Sequence, residues 1–147
     1  MRDMSSRPIA VVARAAFLAA ALAACSATAP ASFSVDSPKL TTERATELAR
    51  DAIEAFGRCN YAGWTADWSE ALRAEVAEAD FATYCRGYVA AHGSLAGVDP
   101  VERSEAETAG YVRWQVVARF GAGPVTFAFV IKADGELVEG YVIDPPH

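Results

Sequence analysis

Between residues 111 and 131 apolar and polar side chains take turns. In YVRWQVVARF, Val112, Trp114, Val116, Ala118 and Phe120 alternate with Tyr111, Arg113, Gln115, Val117 and Arg119, and in PVTFAFVIK, after the short turn at GAG, Val125, Phe127, Phe129 and Ile131 share one face. A period of two with one apolar face is what a half-buried strand requires, because successive side chains of a strand point to opposite sides. The following turn contains Asp134-Gly135, a favoured hairpin pair, and leads into ELVEGYVID. Three antiparallel strands in succession are therefore expected. A poorer edge strand is placed between Leu95 and Glu105, weakened by Pro100 and the charges around it.

Upstream the period changes to that of a helix. In LTTERATELARDAIEAFGRC, Thr41 can cap the first turn, Glu43 lies near its positive end, and Ala45, Leu48, Ala49, Ala52, Ile53 and Phe56 form one stripe before Gly57 supplies a stop. A second helix is expected after Asn60, in NYAGWTADWSEALRAEV, where Tyr61, Trp64, Trp68 and Leu72 recur at helical spacing. A third is expected after Asp80, with Phe81, Tyr84, Cys85, Tyr88 and Val89 on one face and Gly93 as terminator. The expectation is an α+β domain: three N-terminal helices packed on a curved antiparallel sheet of three to four strands.

This order resembles the nuclear transport factor 2-like, cystatin-like cone fold, and more narrowly the exported bacterial lipoproteins of unknown function built on it. The matching features are the long first helix, NYAGW...DW in the second, the Gly93 break and the terminal hairpin closing in DGELVEGYVIDP, over most of residues 41 to 145.

The N-terminal residues have a separate logic. MRDMSSRPIAVVAR carries Arg2, Arg7 and Arg14 against Asp3, and an apolar run continues to Leu22 without an acid. The run falls short of the about 20 apolar residues of a comfortable bilayer span, the layout of a cleaved export signal. Leu22-Ala23-Ala24-Cys25 resembles the lipobox of bacterial lipoproteins. The resemblance implies a diacylglycerol on the sulfur of Cys25 and cleavage before it. Two acyl chains, at about 0.8 kcal/mol per buried methylene, hold a small domain at a membrane durably. The competing readings are an uncleaved membrane helix and a plain secreted protein in which Cys25 is incidental.

Three segments follow: 1–24 as a lipoprotein signal peptide, 25–39 as the lipidated cysteine and a flexible tether, and 40–147 as the folded domain. The tether, SATAPASFSVDSPK, mixes small, polar and proline residues without a period. The whole chain bears a net charge of −6; removing a leader with three arginines and one aspartate leaves −8 over 123 residues. A surface that acidic does not suit nucleic acid or anionic head groups, so attachment to the cell membrane, on its extracytoplasmic face, falls to the lipid.

Cys59 and Cys85 remain, 26 positions apart. In an oxidising envelope they are natural disulfide partners, worth on the order of 3 kcal/mol by loop closure; two buried thiols or a redox pair are the alternatives, although no Cys-x-x-Cys spacing supports the last. His92 and His147 share no ligand spacing, so no metal is expected, and His92 reads as a helix C-terminal residue. No Gly-x-Ser-x-Gly, phosphate-cradling loop or dinucleotide fingerprint is present, and no cofactor is implied.

The remaining constellation is Tyr61, Trp64, Asp67, Trp68, Tyr84, Tyr88 and Trp114, with Tyr111 as an outlying candidate. These residues either line a pocket or fill the core. Cone-fold relatives such as ketosteroid isomerase place a catalytic acid and a tyrosine in such a cavity, a role that the resemblance offers to Asp67 or Glu139 beside Tyr84 or Tyr88. The thin polar inventory favours a non-catalytic domain that binds a small apolar ligand or an envelope protein. The alternative is a small isomerase or hydro-lyase acting on a hydrophobic substrate. Arg113, Gln115 and Arg119 on the outer sheet face favour a monomer.

Overall fold

In a computed structural model of the chain, the described residues are 38–106 and 108–144. The expected leader, Cys25, nearly all of the expected tether and His147 lie outside them.

The first helix, α1 (Thr42–Gly57), starts where a side chain satisfies its first turn: Thr41 accepts a hydrogen bond from the Arg44 N–H at 3.2 Å. All six residues of the expected stripe are buried, with Ile53 fully so. Gly57 still belongs to the helix, and the chain turns two residues later at Cys59, whose φ of 52° is left-handed.

The second expected helix is a correction. It is two short pieces, α2 (Tyr61–Trp64) and α3 (Glu70–Glu75), so among the described residues four helices precede the sheet rather than three. Ser69, read from sequence as helix interior, is the N-cap of α3; its Oγ accepts the Leu72 N–H at 3.3 Å. The Arg73 guanidinium donates to the Thr65 carbonyl at 2.8 Å, closing the end of α2. Helix α4 (Glu78–His92) begins ahead of Asp80, with Glu78 and Asp80 in its positive first turn. Gly93 ends it at φ 83°. The Ala122 N–H, from the turn after the central strand, donates to the His92 carbonyl at 2.8 Å and thereby ties the helix end to the sheet.

The expected edge strand is also two pieces, β1 (Leu95–Val98) and β2 (Glu102–Glu105), interrupted at Asp99-Pro100. Both pair antiparallel with β3 (Tyr111–Phe120) at different heights. β3 runs in unbroken register with β4 (Gly123–Lys132), which pairs with β5 (Val138–Asp144). The result is an open antiparallel sheet of five strands in four positions, one strand more than the sequence reading allowed. Inward-facing Val112, Trp114, Val116, Ala118 and Phe120 from β3, and Val125, Phe127, Phe129 and Ile131 from β4, are all buried with the helical stripes in one core. Alternation in the sequence thus became one covered face, as the pleat demands.

Candidate functional site

Phe56, at the end of α1, is the hub of the aromatic interior. Its ring lies 5.2 Å from Trp64, 5.4 Å from Tyr88, 5.6 Å from Phe127 and 6.0 Å from Phe81, mostly edge to face. Such contacts are the preferred geometry of rings packed against one another.

The seven candidate residues divide. Trp64 and Trp68 are buried and touch at 5.6 Å. Tyr61 is half-buried, packs on Phe81 and donates its hydroxyl to the Val76 carbonyl at 2.7 Å. Tyr84 and Tyr88 are neighbours at 5.9 Å on α4; Tyr84 is 41 % exposed, whereas Tyr88 is buried. Trp114 is buried on β3, paired with Phe129, outside this set of ring contacts. Asp67 is half-buried, and its backbone carbonyl accepts the Val138 N–H at 2.8 Å. Tyr111, at the start of β3, is half-buried on the outer face.

The acids and tyrosines are not joined. Glu139 is ion-paired with Lys132 at 3.4 Å, and the Tyr88 hydroxyl is buried with no hydrogen-bond partner among the described residues, so neither Asp67 nor Glu139 reaches it. Burial pushes the Tyr88 phenol up to about 12, reinforced by the nearby Tyr84, and burial likewise raises Tyr84 and Tyr141. These phenols are neutral donors at ordinary pH rather than bases.

Tyr141 and Phe127 belong to the cluster, although sequence reasoning did not single them out for the site. Tyr141 stacks on Trp68 at 5.0 Å and meets Trp64 at 5.4 Å. The β4–β5 register slips between Val130 and Ile131, which hid the inward face of β5 from a period-two count.

Cys59 and Cys85 are disulfide-bonded, with Cα atoms 5.6 Å apart, fastening the α1–α2 turn to the middle of α4. His92, the last residue of α4, lies with its ring 4.2 Å from that of Tyr88.

An open concavity lies elsewhere. A groove of about 420 Å³ runs between the last two turns of α1 and the edge strand β1, lined by Arg50, Glu54, Gly57 and Arg58 on one side and residues 94–98 on the other. Gly57 brings the two walls together, since a Cβ there would sit 3.0 Å from the Leu95 Cβ. Gly97 keeps its wall open, with nothing within 4 Å of the position its Cβ would occupy. Glu54 and Arg58 pair at 3.6 Å, while Arg50 has no ion-pair partner among the described residues. The groove can therefore offer guanidinium donors and main-chain groups together. Sequence reasoning missed it because Arg50 and Arg58 look like any solvated helix face. No protein-family model, curated protein or solved structure matches the chain.

Proposed function

We propose that the chain is an exported lipoprotein, held on the extracytoplasmic face of the cell membrane by a diacylglycerol on Cys25, whose residues 40–147 form a non-catalytic binding domain of the nuclear transport factor 2-like cone type. The leader supports the first half: three arginines, an apolar run too short to span comfortably, and Leu22-Ala23-Ala24 before the cysteine. The second half is carried by one contrast. The aromatic interior is packed ring on ring, whereas the groove beside β1 is open and carries Arg50 without an ionic partner among the described residues. Binding at the surface, with the core spent on stability, fits that distribution.

The test is the mass of the mature N-terminus together with a Cys25→Ala variant. The expected result is a chain beginning at a diacylglyceryl cysteine, and a variant released from the membrane fraction. A variant held as firmly as the parent overturns the lipid reading.

A further inference from the structure

We infer that the α1–β1 groove binds an extended acidic segment of a partner protein, which adds as a strand to the free edge of β1 and sets carboxylates against Arg50 and Arg58. This rests on reading the groove as the binding site.

β1 is an outermost strand of the sheet. The Asp99 N–H donates to the Val117 carbonyl and the Ser94 carbonyl accepts from the Gly121 N–H, so both of these groups face β3. Backbone groups alternate in direction along a strand, so those of Leu95, next to Ser94, and of Val98, next to Asp99, turn away from β3 on either side of the bulge between Leu95 and Gly97, and both residues line the groove. Among the described residues no strand pairs with this edge, and an edge of this kind is a template for a further strand, whose main-chain hydrogen bonds supply affinity without regard to sequence.

Selectivity comes from the opposite wall. Arg58, at the C-cap of α1, stands eight positions after Arg50, about 12 Å along the axis at the helical rise. Residues i and i+4 of an extended segment lie about 13 Å apart on the same face. Two carboxylates at that spacing meet both guanidiniums, and the residue midway between them meets Glu54. A neutral or basic residue is required there, since a third acid would face a carboxylate already engaged by Arg58. On a strongly acidic chain, this basic wall distinguishes an acidic partner from the rest of the surface.

The probe is a short fluorescent peptide in which valine alternates with glutamate, lysine and glutamate in turn, mixed with the full-length protein extracted in mild detergent. Anisotropy reports binding, and amide hydrogen exchange reports where it occurs. The expected result is saturable binding with new protection confined to residues 94–98. The charge-reversed peptide, and the double variant Arg50→Glu with Arg58→Glu, should each weaken binding about tenfold or more. Val98→Pro removes an outward donor while leaving the bonds to β3 in place, so binding should be lost in a domain that still unfolds cooperatively, although at a lower midpoint because the Val98 side chain packs against the core. Equal binding of the two peptides, absence of protection at β1, or full affinity in Val98→Pro overturns the inference. Membrane release of Cys25→Ala reads the anchor alone, so either claim can fail without the other.

Discussion

Trp68 and Val138 form an isolated parallel bridge, so that the loop between α2 and α3 pairs with the first residue of β5. The Ser69 N–H donates to the Val138 carbonyl at 2.9 Å, and the Val138 N–H donates to Asp67. Both residues are nearly inaccessible, and the indole also stacks on Tyr141. Trp68→Ala should therefore cost about 3–5 kcal/mol of stability, a large cavity in a core that holds loop and sheet together. Urea unfolding followed by circular dichroism measures it. A loss below 1 kcal/mol would show that the site collapses without penalty.

Two glycines should respond to alanine with opposite signs. A Cβ on Gly63, in α2, would lie 2.7 Å from the Ala55 Cβ, and the Gly63 N–H is held by the Asn60 cap. Gly63→Ala should destabilise by about 1–3 kcal/mol through overpacking. Gly87 lies within α4 with nothing within 4 Å of its added Cβ. There the same change removes backbone freedom from the unfolded chain and should raise stability by about 0.5–1 kcal/mol. Thermal unfolding of the pair separates contact from propensity.

What the sequence made legible follows from periodicity. The stripe of α1 and the inward faces of β3 and β4 were all assigned correctly, because each runs unbroken for long enough to fix its phase. The second helix failed because Tyr61, Trp64, Trp68 and Leu72 keep helical spacing across a break; Trp68 is buried by the sheet, and Ser69 restarts the helix as a cap. The single edge strand failed at Pro100, where one weak segment became two. For the site, the aromatics could be named but not their company, since the slip at Val130/Ile131 hid Tyr141. The α1–β1 groove left no signal because it joins segments some forty residues apart through one close approach, Gly57 to Leu95.

The Cys59–Cys85 bond links residues 26 positions apart in sequence and joins the turn after α1 to the buried face of α4. Loop-closure entropy gives about 3.5 kcal/mol for that length, on a chain whose total stability is of order 5–15 kcal/mol. Thiol titration under denaturing, non-reducing conditions should find neither cysteine free, and reduction should lower the urea midpoint by a matching amount. Cys85 is fully buried, so Cys59→Ala, at the more accessible partner, is the cleaner variant. Two reactive thiols in the untreated protein would contradict the bond.

The Tyr88 hydroxyl is the clearest pH-sensitive group among the described residues. It is buried without a hydrogen-bond partner, and its phenol is raised to about 12 by burial first and by Tyr84 second. An unfolded chain ionises the same phenol near 10. The folded state therefore binds that proton more tightly, and the associated stability is intact below about pH 10 and lost as pH rises toward about 12. Ultraviolet titration of tyrosinate should show a late-ionising phenol in the parent that is missing in Tyr88→Phe. At neutral pH the variant should be at least as stable as the parent, because it removes an unsatisfied buried hydroxyl while keeping the ring against Phe56 and Phe120. Its stability should also fall less steeply between pH 10 and 12. A variant clearly weaker than the parent at neutral pH would mean that the hydroxyl has an acceptor, and that the ring alone does not account for the packing at this position.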